Sequence, residues 1–234
     1  MYYQRNRSKT ILHVLAALLL SAAMAAAAIP GLCDTGFSSN TCTGLVPIGG
    51  NDANWQIAFP YPTAPSSSPI PNPCAAPQCG TTGLTFEPAW VDAPDPSWLK
   101  NNKISEWITP QVEDNLGGHY VYEITVPVPT ADGHVTIVGE LLSDNEVEAI
   151  YLSSGATECL PVAGYPYDNA AVNSPSNFTT PWTTFKITNA PVSAGGSATL
   201  YFVVRNRGVG GVDSSPTDTG LRVQFSQTAS TFLP

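Results

Sequence analysis

The stretch that decides the fold is Gly118–Gly155, GHYVYEITVPVPTADGHVTIVGELLSDNEVEAIYLSSG. In its first run Tyr120, Tyr122, Ile124, Val126 and Val128 share one face, while Glu123 and Thr125 share the other. A period of two is the spacing of a half-buried strand and not of a helix. The pair Asp132-Gly133 supplies a tight reversal. The chain then returns with Val135, Ile137, Gly139 and Leu141 inward and Thr136 and Glu140 outward. After Ser143-Asp144-Asn145 a third run follows, Val147–Leu152, whose phase slips between Ala149 and Ile150. That slip marks a bulge or a strand buried on both faces. Three consecutive antiparallel strands of this kind place the chain in the all-β class.

Outward from this centre, further runs alternate. Asn54–Phe59 puts Trp55 and Ile57 on one side, and Thr184–Thr188 turns Phe185 and Ile187 inward. Ala198–Asn206 has Leu200, Phe202 and Val204 on one face and Tyr201 and Val203 on the other, as in a central strand covered on both sides. Leu221–Gln227 alternates with Leu221, Val223 and Phe225 inward. Between them lie a proline-dense segment, Pro60–Pro77, and a tryptophan-rich one, Thr85–Asn115, where prolines restrict any helix to a turn near Ser97–Asn101. Seven or eight short strands with almost no helical periodicity predict a two-sheet antiparallel β-sandwich of the jelly-roll type.

The first residues read as a leader. Arg5, Arg7 and Lys9 precede an apolar run, Ile11–Leu20, too short to span a bilayer, and small residues up to Ala28 offer a cleavage site. The expected organisation is a signal peptide at 1–28, an irregular segment at 29–50, the sandwich at 51–228 and a tail at 229–234. No membrane span is expected after cleavage, and the product would be secreted, periplasmic or held at the cell surface. The chain carries 9 Lys+Arg against 18 Asp+Glu, a net charge of −9; the three leader cations, once removed, leave the rest at −12. Such acidity speaks against nucleic acid and anionic membranes as partners.

Five cysteines in an exported chain suggest disulfides. Spacing favours Cys33–Cys42 and Cys74–Cys79 with Cys159 unpaired, although five cysteines admit other pairings.

The series Trp98-Leu99…Asn102…Ser105-Glu106-Trp107-Ile108-Thr109-Pro110, Gly118-x-Tyr120-x-Tyr122, Gly139 and Ser143-Asp144-Asn145 continues through Trp182-x-x-Phe185, Leu200-x-Phe202-x-Val204-x-Asn206 and Thr219-Gly220-Leu221-Arg222-Val223. It resembles a set of uncharacterised exported bacterial proteins. Their domain is similar to the galactose-binding-like jelly roll shared by many carbohydrate-binding modules and discoidin-type domains. The resemblance spans residues 51–228 and implies a non-catalytic binding domain. Where these relatives carry an Asn-Gly turn after the third strand, this chain has Ser153-Ser154-Gly155.

Motifs for catalysis are lacking: no G-x-S-x-G, H-E-x-x-H or phosphate loop occurs. His119 and His134 read as solvent-facing strand-end residues. Asp144, Glu146 and Glu148 cluster, but neighbours along one strand do so commonly. A structural calcium is the metal use these oxygens suggest, with Asn51 and Asp52 as first candidates and Ser143-Asp144-Asn145 as second. A neutral sugar needs aromatic faces beside hydrogen-bonding groups. Trp55 is assigned to the core, and Trp107 and Trp182 to the sandwich edges. Trp90, Trp98, Tyr165 and Tyr167 lie in loops, freer to face solvent. Tyr165 and Tyr167, with Asp168 and Asn169 as polar partners, form the candidate ligand site, set in one of three long loops (Pro60–Thr82, Cys159–Pro181, Arg207–Thr219). The leading function is a non-catalytic secreted or surface domain that binds carbohydrate. A structural surface or matrix protein without a small ligand is the second reading, and a glycan-active enzyme the third.

Overall fold

The computed structural model describes residues 27–58, 84–110, 117–128, 132–153, 159–161, 178–179, 181–207 and 217–233. Every regular element among them is a strand. In chain order these are β1 (Ala27–Ala28), β2 (Asn51–Ala58), β3 (Phe86–Val91), β4 (Ile108–Thr109), β5 (Gly118–Pro127) and β6 (Gly133–Asp144). They continue with β7 (Glu146–Ser153), β8 (Cys159–Pro161), β9 (Thr183–Val192), β10 (Ser197–Asn206), β11 (Gly220–Phe225) and β12 (Thr231–Leu233). All pairings are antiparallel.

The hydrogen-bonded path runs β12-β6-β11-β4-β3-β2-β5-β10-β7-β8, with β9 on the other side of β6 and β1 outside β12. It folds back on itself. Trp55 of β2 stacks on Phe225 of β11 (centroids 6.1 Å, planes 13° apart), and Phe185 of β9 meets Phe202 of β10 edge-on at 5.5 Å. Neither pair lies on hydrogen-bonded neighbours, so the rings meet across a sandwich whose layers are β3-β2-β5-β10-β7-β8 and β9-β6-β11, joined through two-residue β4. One core fills the space between them, and Tyr120, Tyr122, Ile124, Val135, Ile137, Leu200, Phe202, Val204, Val223 and Phe225 all belong to it. Burying side chains of this size contributes roughly 1.5–3 kcal/mol each.

The three central strands differ from the expected arrangement in one respect. β5, β6 and β7 do not pair with one another; β5 and β7 flank β10 in one layer, and β6 lies in the other. The reversal at Asp132-Gly133 thus carries the chain between layers and closes no hairpin. Gly133 is needed for close approach: a Cβ there would sit 2.3 Å from the Leu233 carbonyl oxygen and 2.7 Å from the Phe232 ring.

The phase slip in β7 has both of its expected causes. Val203 faces Ala149 and Val204 faces Val147, which leaves Glu148 as the extra residue of a bulge. On either side of it, Val147, Ile150 and Leu152 enter the main core, while Ala149 and Tyr151 join an outer cluster with Ala58, Val121, Tyr201 and Val203. Phe86 and Leu84 pack on that cluster, so β10 is covered on both faces.

Three expectations are corrected. The terminal segment 229–234 is no tail: β12 pairs with β6 and places Phe232 in the core, because one aromatic ring suffices to anchor three residues. The tryptophan-rich segment contributes strands β3 and β4, and near Ser97 it forms a turn, Trp98 N–H to the Asp95 carbonyl at 2.9 Å, in place of a helix. Trp98 is not a solvent-facing loop aromatic. It is 6% exposed, packs on Trp107 at 4.4 Å and covers the outer face of β6 and β11 together with Leu142. Arg222 lies beneath this cap, fully buried, with its guanidinium 5.1 Å from the Trp182 ring and donating to Ser105 Oγ and the Lys100 carbonyl.

The segment 29–50 is irregular apart from one bridge, Phe37 to Leu45, yet it is bound into the core. Leu32 and Cys33 are fully buried, Phe225 N–H donates to Asp34, and the Thr35 hydroxyl donates to the Glu106 carbonyl at 2.6 Å. Cys33 and Cys42 are joined in a disulfide, as their spacing suggests.

Candidate functional site

The alternation that buries Tyr122 and Ile124 turns Glu123 and Thr125 to the outer face of their layer. Register then aligns this face across four strands. Gln56 of β2 is opposite Glu123 of β5, Glu123 is opposite Tyr201 of β10, and Tyr201 is opposite Tyr151 of β7. One row further along, the Thr125 and Thr199 hydroxyls share a hydrogen bond of 2.8 Å.

Where β2 and β5 meet the N-terminal segment, this face sinks into a cavity of about 510 Å³. Gln56, Glu123 and Thr125 line its sheet side, with Ala53 and Asn54 at the start of β2. Pro30 and Gly31, then Asn40 and Thr41, line the side made by the N-terminal segment, and Pro127 closes the end of β5. The 33–42 disulfide closes the loop that carries Asn40 and Thr41. Asn54 fastens the same loop to β2 by donating from Nδ2 to the Phe37 and Ser39 carbonyls at 3.3 and 3.1 Å. Hydroxyls of Ser39, Thr41 and Thr43 bond to one another at 2.9–3.1 Å and fix its tip.

Among the described residues, Glu123 is the one ionisable group lining this cavity. Burial pushes its carboxyl up to about 7, and among the described residues no hydrogen bond or cation opposes it. A desolvated carboxyl without a donor holds unused hydrogen-bonding capacity, and around it stand two carboxamides beyond Gln56 and two threonine hydroxyls. Asn54 Nδ2 and the two hydroxyls already bond within the protein, so Asn40, Gln56 and Glu123 are the groups that can offer hydrogen bonds into the cavity, beside proline rings as small apolar surfaces. Glu123 was legible as an outward strand residue. Its desolvation was not, because the wall that causes it arrives from residues 30–41.

The other polar cluster lies where β5, β7 and β10 end. His119, expected in solvent, is only 6% exposed, and its Nε2 lies 2.6 Å from Glu148 Oε2. The bulge explains this, since it turns the extra residue Glu148 toward β5. Glu146 pairs with Arg207, and Asp144 accepts from Trp98 Nε1 at 2.8 Å and Asn145 Nδ2 at 2.7 Å. Burial, with Asp218 and Asp95 adding to it, pushes the Asp144 carboxyl to about 7 against the opposing effect of the Trp98 bond. The three acidic groups thus each engage a different neighbour. His134 is exposed.

Of the residues named for calcium, Asn51 is exposed on β2, whereas Asp52 is 2% exposed. Asp52 Oδ1 accepts the Asn54 and Trp55 amides at 2.8 and 3.1 Å, and its Oδ2 accepts the Gly36 amide at 2.6 Å. Among the described residues no group of three or more His, Cys, Asp or Glu side chains is placed to hold a metal ion. Tyr165, Tyr167, Asp168 and Asn169, and the pair Cys74–Cys79, lie outside the described residues, as does the side chain of Cys159. Among the described residues no helix is long and apolar enough to cross a membrane.

Neither a family model nor a curated protein matches the chain. Among solved structures it is similar to TmCBM61, described in complex with β-1,4-galactotriose: 13% identity, 62% of this chain and 81% of that one, TM-score 0.30. It is also similar to a family 35 carbohydrate-binding module from an environmental isolate: 11% identity, 60% of this chain and 84% of that one, TM-score 0.29.

Proposed function

We propose that this chain is a non-catalytic binding domain for carbohydrate, exported to the periplasm, cell surface or medium, and that the cavity at Glu123 is its binding site. The observation that carries this reading is a concave, preformed depression lined by carboxamides and hydroxyls around a carboxyl that no described residue engages. Sugars present dense arrays of hydroxyl donors and acceptors, and such a lining satisfies them without moving the backbone. Among the described residues lining the cavity, none supplies beside Glu123 the oriented second acid, base or nucleophile that bond cleavage requires. The loop residues Tyr165 and Tyr167, with Asp168 and Asn169, are proposed as a second contact that adds aromatic stacking.

A glycan array probed with the chain lacking residues 1–26 tests the reading, followed by calorimetry on the glycans retained. Affinities on the order of millimolar to micromolar are expected for a shallow site. Glu123→Ala with Gln56→Ala should abolish retention while the thermal midpoint stays within a few degrees. Tyr165→Ala with Tyr167→Ala should weaken it with the midpoint equally preserved. No retention of any glycan by the unaltered chain would leave a structural surface protein as the better description.

A further inference from the structure

The charge distribution in the cavity bears on which sugars it accepts, an inference that rests on the carbohydrate-binding reading. We propose that the cavity selects glycans bearing a protonated primary amine, of the 2-amino-2-deoxy type, over acidic sugars, with Glu123 as the counter-ion.

Among the described residues the lining contains one carboxyl and no Lys, Arg or His. Around Glu123 the register places Gln56 on one side and Tyr201 on the other, so no cation flanks it along its row either. A uronate entering here would set a second carboxylate against the first in a partly desolvated space, and like charges in that setting repel strongly. An ammonium would do the reverse. It supplies the donors that the carboxyl lacks, and charge-assisted hydrogen bonds are roughly twice as strong as neutral ones. The upward displacement of the Glu123 carboxyl by burial fits this assignment, because an arriving cation would restore its ionised form. A neutral hydroxyl or acetamide can hydrogen-bond the carboxyl but brings no compensating charge. The chain's acidity, −9 overall and −12 without the leader cations, adds a long-range field that draws cationic ligands and turns away anionic ones. Asn40 and Gln56, whose carboxamides also line the cavity, would orient the ring hydroxyls.

Calorimetry with β-1,4-linked glucosamine, N-acetylglucosamine and galacturonate oligosaccharides of equal length tests the proposal. The glucosamine oligomer should bind about tenfold more tightly than its N-acetylated counterpart, as expected for one added charge-assisted contact. The galacturonate oligomer should bind most weakly. Glu123→Gln should bring the ratio of glucosamine to N-acetylglucosamine affinity close to one, whereas Glu123→Asp should keep a preference for the amine; thermal midpoints verify that both variants fold. Galacturonate binding as tightly as glucosamine, or a ratio unchanged in Glu123→Gln, overturns the proposal while glycan binding itself stands. Oligolysine binding as tightly as the glucosamine oligomer overturns the sugar class. If neither these nor any arrayed glycan binds, the carbohydrate reading fails and this inference with it.

Discussion

Burial lifts the carboxyls of Glu123 and Asp144 alike, to about 7, but the two stand in opposite settings. Asp144 is held by Trp98 Nε1 and Asn145 Nδ2, and its own backbone carbonyl accepts the Thr219 hydroxyl at 2.6 Å. Glu123 faces a cavity, and among the described residues no group holds it. A displaced pKa alone therefore does not separate a structural acid from a ligand-facing one; the presence of donors does. Asp144 ties the tryptophan cap to the end of β6, and removing it should unsettle the fold. Glu123 supports no neighbour among the described residues, and removing it should leave the fold intact while altering what the cavity binds.

The strongest break of this comparison comes from the cap. Trp98→Ala removes a buried ring that touches Trp107 and strips Asp144 of its indole donor, at a cost of about 3–5 kcal/mol. Asp144→Ala, which leaves the indole N–H without its acceptor, should cost about 1–3 kcal/mol. Both are read from urea denaturation of the variants. Equal destabilisation by Glu123→Ala would erase the distinction between the two acids.

The disulfide sharpens the comparison from the side of the cavity. Cys33 and Cys42 are 9 residues apart in sequence, and closing so short a loop stabilises by about 2–3 kcal/mol through the unfolded chain. Cys33→Ser with Cys42→Ser should lower stability by that amount. It should also weaken glycan binding beyond what the folded fraction accounts for, because Asn40 and Thr41 then lose their covalent anchor and keep only hydrogen bonds such as those from Asn54 Nδ2 and the Ala53 amide. Preserved affinity in the folded variant would show that these hydrogen bonds suffice to hold the wall.

The strand runs were legible because a period of two needs no knowledge of neighbours. Tyr120, Tyr122, Leu200 and Phe202 could be assigned to the core from spacing alone, and even the bulge at Glu148 left its mark as a break in phase. Pairing was less accessible. The alternation of β5, β6 and β7 between layers depends on which strand each meets later in the chain, and local sequence does not encode that. Trp98 escaped for a related reason: an aromatic in a proline-rich segment has no period, so its burial is set by β6 and β11 arriving beneath it. The site was the least legible part. Aromatic residues drew attention to the loop at Tyr165, whereas the cavity at Glu123 has no aromatic lining and exists only because residues 30–41 fold back against β2 and β5.

Stability against pH carries the smallest expected effect. Burial pushes Asp34 and Asp52 to about 6, and Asp144 and Glu123 to about 7, from ordinary values of 3.8 for aspartate and 4.5 for glutamate. In each case the folded state holds its proton more tightly than the unfolded one. The stabilisation is thus complete below the unfolded pKa and is lost as pH rises through the folded pKa. The thermal midpoint should therefore fall between about pH 5 and about pH 8, the opposite of the behaviour expected for salt-bridged carboxylates. At Asp34 and Asp52 backbone amides that favour the ionised form already offset part of the burial, which is why these two rise only to about 6. Glu123 has no such compensation. Its share, on the order of 1 kcal/mol after allowance for solvent, should disappear in Glu123→Gln, whose midpoint would fall less steeply over the same range. A variant profile that parallels the unaltered protein would mean that Glu123 is already well solvated, and that a ligand cation would gain little from meeting it.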